Sequence, residues 1–162
     1  MIKLKFINKS PNPNPSFSDR GSSGFDIRAW LNEENGAIWN GDKQNFITTL
    51  KPLERKLIHT GLYFEIPDNF EIQIRPRSGL ALKEGLSILN TPGTIDESYT
   101  GEICIILINL SETNVTIENG ERIAQGILSS CYNGYSVDLV ITDKITKQTE
   151  RGSGGFGHTG KL

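Results

Sequence analysis

The sequence alternates apolar and polar residues in short segments that end at glycine, proline or asparagine. In residues 70–75 the apolar side chains occupy every second position, at Phe70, Ile72 and Ile74. This period of two predicts a β-strand with one buried face. The β-branched side chains that are common in the sequence also suit a pleated surface. We expect further strands at 2–7, 60–66, 113–118 and 121–129.

Two features predict how strands are covered and joined. Residues 103–108 (ICIILI) are apolar on both faces, so a second sheet or another subunit must cover the second face. Asn119-Gly120 lies between the strands predicted at 113–118 and 121–129. Asn-Gly is the strongest short hairpin signal, because both turn residues take positive φ. We therefore predict that these two strands pair with each other.

One segment, residues 78–84 (SGLALKE), has the character of a helix. It contains no β-branched residue, Ser78 would lie near its N-cap, and Gly85 is placed to end it. Many short strands and one short helix predict an all-β fold, either a β-sandwich or a jelly-roll barrel.

The remaining segments predict loops and a tail. Residues 10–20 are rich in proline and asparagine, and residues 31–45 form a polar hairpin or loop insertion. The last twelve residues, RGSGGFGHTGKL, contain five glycines, so we expect a mobile tail unless something orders it. We predict one domain over 1–150 and a lid over 151–162.

Charge and composition exclude several classes of partner. The 17 Lys and Arg residues face 19 Asp and Glu residues, for a net charge of −2. This balance gives no bulk basic charge for a nucleic-acid polymer or an anionic membrane. A small phosphorylated ligand needs only a few placed arginines. Without a signal peptide or an apolar run near the ~20 residues of a membrane helix, the protein is expected to be soluble and cytoplasmic.

Cysteine and histidine usage argues against cross-links and zinc. Cys104 and Cys131 are too few for a disulfide framework, and two free thiols fit a reducing compartment, although a single bridge stays open. Neither His59 nor His158 has a cysteine at metal-ligand spacing in the sequence, which makes a zinc site improbable.

Several polar segments are candidates for chemistry, and each also has a purely structural explanation. Asp26 lies in an apolar strand, where an unpaired carboxylate is costly, so it needs an arginine or a bound cation. Arg77 and Ser78 could bind an anion at the start of the helix. The alternative is an ordinary helix N-cap with a solvated arginine. Asp96 can act as a general base, or lie in a polar turn with Tyr99 packed over it.

The C-terminal glycines produce a false match. Residues 155–161 (GFGHTGK) fit the spacing of a phosphate-binding P-loop. That motif needs Ser or Thr next and a helix after it. Leu162 follows instead, so we reject this interpretation.

Taken together, five segments resemble the five motifs of the trimeric dUTP pyrophosphatase (dUTPase) family, in the family's order and over nearly the whole chain. They are SGFDIRA (23–29), PRSGLA (76–81), NTPGTIDESYTGEI (90–103), GERIAQ (120–125) and RGSGGFGHTG (151–160). The departures are Ser23 where alanine is usual, Thr91-Pro92 in the uracil hairpin, and the long 31–45 segment. The resemblance implies a jelly-roll homotrimer that hydrolyses dUTP to dUMP and pyrophosphate with Mg²⁺, with sites shared between subunits.

The resemblance also implies roles for individual residues. Asp96 would orient and deprotonate the water that attacks the α-phosphorus. Asn90 and the backbone of residues 88–95, including Ile95, would bind uracil, and Tyr99 would exclude a 2′-hydroxyl. Asp26 would hold hydrated Mg²⁺ through water, with the ion mainly on the substrate phosphates.

The remaining implied contacts involve the phosphate chain and the tail. The phosphates would be bound by Arg77, Ser78, Gly79 and Gln125. The tail would add γ-phosphate contacts from Arg151, Gly157, His158 and Thr159, and Phe156 would stack on uracil. Arg122 would be structural, as a buried partner for a carboxylate.

Two other functions stay open. A dCTP deaminase shares the fold and the trimer, but its chemistry needs a glutamate beside the cytosine and its family lacks this tail. A non-catalytic nucleotide-binding jelly-roll trimer is the second alternative. Asp96, Tyr99 and the tail favour hydrolysis of dUTP.

Overall fold

The computed structural model describes residues 1–155, in which twelve strands and one helix are found. The strands are β1 (Lys5–Asn8), β2 (Phe25–Arg28), β3 (Ile38–Asn40), β4 (Asn45–Leu50), β5 (Arg55–Ile58), β6 (Leu62–Glu65), β7 (Phe70–Arg75), β8 (Leu86–Ile88), β9 (Gly93–Ile95), β10 (Ile105–Asn109), β11 (Val115–Glu118) and β12 (Arg122–Ser130). The helix α1 spans Ser78–Glu84. The predicted all-β class with one short helix is confirmed.

The strands form four small antiparallel sheets. Their strand orders are β1-β6, β5-β10-β8, β11-β4-β3 and β2-β12-β7-β9. Strand β7 coincides with the predicted segment, and Ile72 and Ile74 are buried in it as expected. The first strand is shorter than predicted and begins at Lys5.

One apolar core joins the inward faces of these sheets. Its largest fully buried side chains include Ile27, Leu50, Ile72 and Ile117. The Phe25 and Phe64 rings stack with centroids 5.6 Å apart. Burial of such side chains supplies the main stabilising free energy of a chain of this length.

The nine-residue strand β12 positions the polar residues that matter below. It pairs with β2 on one side and β7 on the other, with a register shift between Arg122 and Ala124. Gln125 lies opposite both Asp26 and Arg75. Residues from three segments far apart in sequence therefore meet in one part of this sheet.

Helix α1 begins and ends where the sequence predicts. Arg77, not Ser78, occupies the N-cap, with extended backbone and no side-chain cap. Gly85 takes φ 68° and donates its N–H to the Leu80 carbonyl. A Cβ at Gly85 would also lie 2.9 Å from the Ser111 nitrogen, so both the left-handed backbone and the close approach require glycine.

The predicted pairing across Asn119-Gly120 is wrong. Strand β11 pairs with β4, whereas β12 pairs with β2 and β7. Gly120 has φ 83°, but Asn119 is not among the described non-glycine residues with positive φ. The turn therefore carries the chain from one sheet to another, because β12 pairs with β2 and β7 on its two edges, whereas β11 would offer one edge of four residues.

The hairpin predicted within 31–45 is found but extends beyond that segment, since its second strand, β4, ends at Leu50. Strand β3 pairs with β4, and the Trp39 ring packs edge-on against Phe46 with centroids 5.2 Å apart. The strand predicted at 103–108 begins at Ile105. Its inward face is buried, while Ile106 and Ile108 on the other face are only partly covered within one chain.

Contacts within the chain separate residues 1–131 from the segment that begins at Tyr132. Between Tyr132 and Gly155 the structure has turns but no helix or strand. The predicted division at residue 150 stays a prediction. No helix within residues 1–155 is long and apolar enough to cross a membrane. Both Cys104 and Cys131 are free thiols.

Candidate active site

The Asp26 carboxylate lies between two guanidinium groups. Arg77 Nε is 3.2 Å from Oδ1, and Arg122 Nη1 donates to Oδ2 at 3.0 Å. The sequence leaves open an arginine or a cation as the partner of Asp26, and the structure places arginines there. One carboxylate with two guanidinium groups has a net charge of +1, which suits an anion such as a phosphate chain.

Main-chain hydrogen bonds fix these side chains at the start of α1. Gln125 Nε2 donates to the Pro76 carbonyl at 2.9 Å, and Arg77 Nη1 donates to the Arg122 carbonyl at 2.8 Å. Ser78 and Gly79 are exposed in the first turn of the helix. The predicted phosphate-binding residues of this segment and Gln125 are thus brought together in one chain. We call this set, with Asp26 and Arg122, the arginine cluster.

Arg122 differs from its predicted environment. It was expected to be buried, but 47% of its side chain is exposed. The expectation that it pairs with a carboxylate is fulfilled by Asp26. The register shift after Arg122 explains the exposure, since it turns this residue out of the regular alternation of β12.

Residues 90–101 form a second polar group, which follows β8 and contains β9. Asp96 is exposed just after β9, and its carbonyl accepts the Tyr99 N–H at 3.0 Å. The Tyr99 hydroxyl donates to the Glu102 carbonyl at 2.9 Å. Gly101 lies under the phenol ring, where a Cβ would come 2.5 Å from the hydroxyl oxygen. This is the predicted polar turn with Tyr99 packed over it.

The uracil-binding candidates lie in the same segment. Asn90 is exposed, and its Nδ2 would be 3.1 Å from a Cβ at Gly93. The Thr91-Pro92 peptide bond is cis. Ile95 is half-buried and pairs with Ile72 of β7. The segment therefore carries an exposed amide side chain before β9 and the exposed Asp96 carboxylate directly after it.

Asp96 and Arg77 lie toward different ends of β7, although Gly93 of the same segment is opposite Ile74, near the arginine end. Ile95 is opposite Ile72, whereas Arg77 follows the far end of the strand. Three residues at about 3.3 Å each separate Ile72 from Arg75, the last residue of β7, by about 10 Å, and Arg77 follows outside the strand. One chain therefore does not bring Asp96 beside its own arginine cluster.

A third cluster was missed by sequence reasoning. His59 Nδ1 lies 2.9 Å from Glu102 Oε2 and 3.7 Å from Cys104 Sγ. Glu102 and Cys104 are two residues apart and share one side of the chain, which is a visible signal. Their proximity to His59, 43 residues from Glu102, depends on the tertiary fold. We call these three residues the His-Glu-Cys cluster.

The second oxygen of Glu102 binds the backbone. Oε1 accepts the N–H groups of Thr60 at 3.0 Å and Gly61 at 2.8 Å. Burial raises the pKa of Glu102, but the hydrogen bonds from His59, Gly61 and Thr60 outweigh it and lower the pKa overall. Burial, with the nearby Glu102 charge, raises the pKa of the Cys104 thiol to about 11.

Replacing Glu102 by alanine should lower the free energy of unfolding by about 1–3 kcal/mol, because two N–H groups lose their acceptor. The pKa of Glu102 is lowered in the folded state, so its contribution is present at neutral pH and fades as pH falls through that pKa. Denaturant unfolding at pH 7 and in acid, with exposed Glu112→Ala as the control, measures this. Equal unfolding midpoints for Glu102→Ala and the parent at pH 7 would contradict it.

Of the predicted tail residues, the structure describes Arg151. It is exposed, and its Nε donates to the Gly154 carbonyl at 2.7 Å. Phe156, Gly157, His158 and Thr159 lie outside the described residues. Their assigned roles stay predictions.

Comparison with known proteins gives consistent matches. The dUTPase family model matches residues 44–160. A deoxyuridine 5′-triphosphate nucleotidohydrolase of Finegoldia magna is 47% identical over 159 residues, covering 98% of this chain and 99% of that protein. One from Fusobacterium nucleatum is 42% identical over 160 residues, with 99% and 98% coverage. The solved dUTPase of Staphylococcus bacteriophage 80alpha with dUPNHPP is similar in fold, with a TM-score of 0.81, 23% identity and 99% of both chains covered.

Proposed function

Because the chain belongs to the dUTPase family, we propose that it hydrolyses dUTP to dUMP and pyrophosphate, with water attacking the α-phosphorus. The observation that carries this proposal is the 42–47% identity, over nearly the full length, to proteins named deoxyuridine 5′-triphosphate nucleotidohydrolase. The reaction would lower the dUTP level and supply dUMP for thymidylate synthesis.

The arginine cluster supports a role in binding the phosphate chain. Arg77 and Arg122 exceed the charge of Asp26 by one unit, and Ser78 and Gly79 expose a hydroxyl and backbone beside them. We assign Arg77, Ser78, Gly79 and Gln125 to the phosphates. Charge-assisted hydrogen bonds from fixed donors would stabilise the negative charge that develops on the leaving pyrophosphate.

Asp96 is the proposed general base. Its exposed carboxylate can accept a proton from a water molecule as the oxygen of that water bonds to the α-phosphorus. The bond between the α-phosphorus and the bridging oxygen breaks, and that oxygen leaves with pyrophosphate. The proton passes to Asp96 and is then released to solvent. Positioning of the water and the phosphate supplies the remainder of the rate enhancement.

The proposed base-recognition groups are Asn90, Ile95 and the backbone of residues 88–95. Uracil offers an N3–H donor between two carbonyl acceptors. Cytosine changes part of this pattern, so polar groups of the site would be left unpaired, which costs binding and discriminates strongly. The half-buried Ile95, paired with Ile72, and the turn at residues 90–93 would hold these recognition groups in place against the uracil edge.

Magnesium is proposed to bind mainly through the substrate phosphates. The Asp26 carboxylate accepts a hydrogen bond from Arg122 on Oδ2 and forms an ion pair with Arg77 through Oδ1, which leaves lone-pair sites on both oxygens for metal-bound water. An outer contact of this kind fits Mg²⁺, which keeps several waters and prefers phosphate and carboxylate oxygens. When bound, Mg²⁺ would neutralise charge on the phosphate chain. Arg77 would orient that chain, and Asp26 would hold the water bound to the ion.

We propose that the active site is completed by other copies of the chain in a homotrimer. The separation of Asp96 from the arginine cluster within one chain supports this, since a nucleotide must reach both. Exposed apolar side chains also support it, including Leu57, Leu110 and, in the segment after residue 131, Leu139 and Ile141. Covering these side chains with another copy of the chain would remove their apolar area from water.

We propose that the tail, residues 151–162, acts as a lid from a third chain. Arg151, Gly157, His158 and Thr159 would contact the γ-phosphate, and Phe156 would stack on uracil. The absence of nucleic-acid and membrane partners and a cytoplasmic location remain predictions from composition and charge.

Replacing Tyr99 by alanine should weaken the discrimination between dUTP and UTP. The ring lies on Gly101 and is held by the Glu102 carbonyl, so in the proposed role it fills the space that a 2′-hydroxyl would occupy. Steady-state kinetics should show the ratio of kcat/KM for dUTP over UTP fall by at least about tenfold, the scale of one lost contact worth ~1.4 kcal/mol. Tyr99→Phe, which keeps the ring, is the matched control. An unchanged ratio in the alanine variant would assign the exclusion to another group.

A product assay tests the function itself. The protein is incubated with Mg²⁺ and either dUTP or dCTP, and pyrophosphate and ammonia are measured separately. We expect pyrophosphate from dUTP and neither product from dCTP. Ammonia from dCTP would establish the deaminase, and no product from either nucleotide would leave a binding protein.

A further inference from the structure

The side chains of the His-Glu-Cys cluster have no assigned role in the proposed hydrolysis, yet they present three different metal-ligating atoms. His59 Nδ1, Glu102 Oε2 and Cys104 Sγ lie within 4.8 Å of one another. All three residues are partly buried, and 38% of the His59 side chain is exposed against 18% for Glu102. The cluster is therefore preformed and open to solvent on the histidine side.

The distances suit a tetrahedral ion. With bonds of about 2.3 Å to sulfur and about 2.0–2.2 Å to nitrogen and oxygen, tetrahedral ligands lie about 3.6 Å apart for N and S and about 3.4 Å for N and O. The observed separations are 3.7 Å for Nδ1 to Sγ and 2.9 Å for Nδ1 to Oε2. The histidine and glutamate would need to separate by about half an ångström as the ion replaces the proton between them.

The donor set and its charge select the kind of ion. Thiolate and imidazole are soft or borderline ligands that suit Zn²⁺, whereas Mg²⁺ prefers oxygen. One thiolate, one carboxylate and one neutral imidazole balance the charge of Zn²⁺. A half-buried site favours this neutral complex, because no net charge is taken out of water.

The backbone holds the carboxylate in place. The Thr60 and Gly61 N–H groups bind Oε1 at 3.0 and 2.8 Å, which leaves Oε2 directed at His59. Outer contacts of this kind orient metal ligands and raise affinity. His59 and Cys104 lie next to β5 and β10, which pair directly with Ile105 opposite Ile58. Both supporting strands are therefore part of one sheet.

We propose that His59, Glu102 and Cys104 form a binding site for one zinc ion per chain, with water as the fourth ligand. This site is separate from the Mg²⁺ of the proposed hydrolysis and does not depend on that function. Its ligand class is a thiophilic divalent cation.

Cobalt provides the optical probe for this site, because it takes tetrahedral geometry and gives a thiolate-to-metal absorption band. The full-length protein is treated with EDTA, transferred to Mg²⁺-free buffer and titrated with Co²⁺, and Zn²⁺ is then added. We expect one Co²⁺ per chain with a thiolate band that Zn²⁺ abolishes. Cys131→Ser, which removes the other thiol, should keep the band, and Cys104→Ser should lose it.

His59→Ala is the second variant, for use if Cys104→Ser does not fold. Circular dichroism and native mass establish folding of each variant. His59→Ala should weaken Zn²⁺ binding at least about 100-fold, since even outer-contact changes cost 10–100-fold. The proposal is overturned if the parent gives no thiolate band, if Cys131→Ser loses it, or if either cluster variant binds like the parent. None of these results bears on dUTP hydrolysis.

Discussion

Replacing Asp96 by asparagine is expected to lower dUTP turnover by about 10²–10⁴-fold, the usual contribution of a general base. Asparagine keeps the size and hydrogen-bonding capacity of the side chain but cannot take the proton from the attacking water. The side chain is exposed and makes no core contact, so fold and assembly should persist. Single-turnover hydrolysis, with binding of a nonhydrolysable dUTP analogue measured in parallel, separates loss of chemistry from loss of binding.

Glu97→Gln is the matched control for Asp96→Asn. Glu97 is the adjacent acid, and its Oε2 accepts the Asn69 N–H at 2.6 Å, a contact that glutamine can keep. Turnover by this variant should stay within a few-fold of the parent. The assignment of the base is wrong if Asp96→Asn turns over dUTP at the parent rate, or if Glu97→Gln loses as much as Asp96→Asn.

Ending the chain after Glu150 should lower kcat/KM for dUTP by about 10²-fold or more, the scale on which a positioned phosphate clamp acts. The buried apolar residues that the structure describes lie between Phe25 and Ala124, so the truncated protein should fold. The deleted segment carries Arg151 and Phe156, the proposed partners of the γ-phosphate and the uracil ring. Closure of such a lid would also exclude water from the phosphates.

A shorter truncation controls for the loss of the tail. Ending the chain after Gly160 removes Lys161 and Leu162 but keeps the matched motif, and it should leave turnover nearly unchanged. Native mass of both truncated proteins reports the assembly. Full activity of an intact assembly ending at Glu150 would refute the lid. Loss of the assembly would show instead that the tail joins subunits.

Features that depend on neighbours in sequence were predictable. Strand β7 and helix α1 coincide with their predicted segments, because a period of two and a run of helix formers before Gly85 are local signals. The need of Asp26 for a cationic partner was also predictable, since it follows from the cost of burying a carboxylate. Which arginines meet it depends on the register of β12 with β2, which a single sequence does not encode locally.

Features that depend on partner choice between strands were not predictable. Asn119-Gly120 turns the chain as expected, but β11 pairs with β4 whereas β12 pairs with β2 and β7, so the two strands join different sheets. The His-Glu-Cys cluster was missed for the same reason, since His59 reaches Glu102 and Cys104 only through the pairing of β5 with β10. The register of sheets is set by burial over the whole fold.

The position of water attack tests the central claim most directly. Hydrolysis of dUTP by the full-length protein in H₂¹⁸O, followed by mass spectrometry of both products, shows which phosphorus receives the water oxygen. Attack on the α-phosphorus predicts one ¹⁸O atom in dUMP and none in pyrophosphate. Label in pyrophosphate would place the attack on the β-phosphorus and contradict the proposed mechanism.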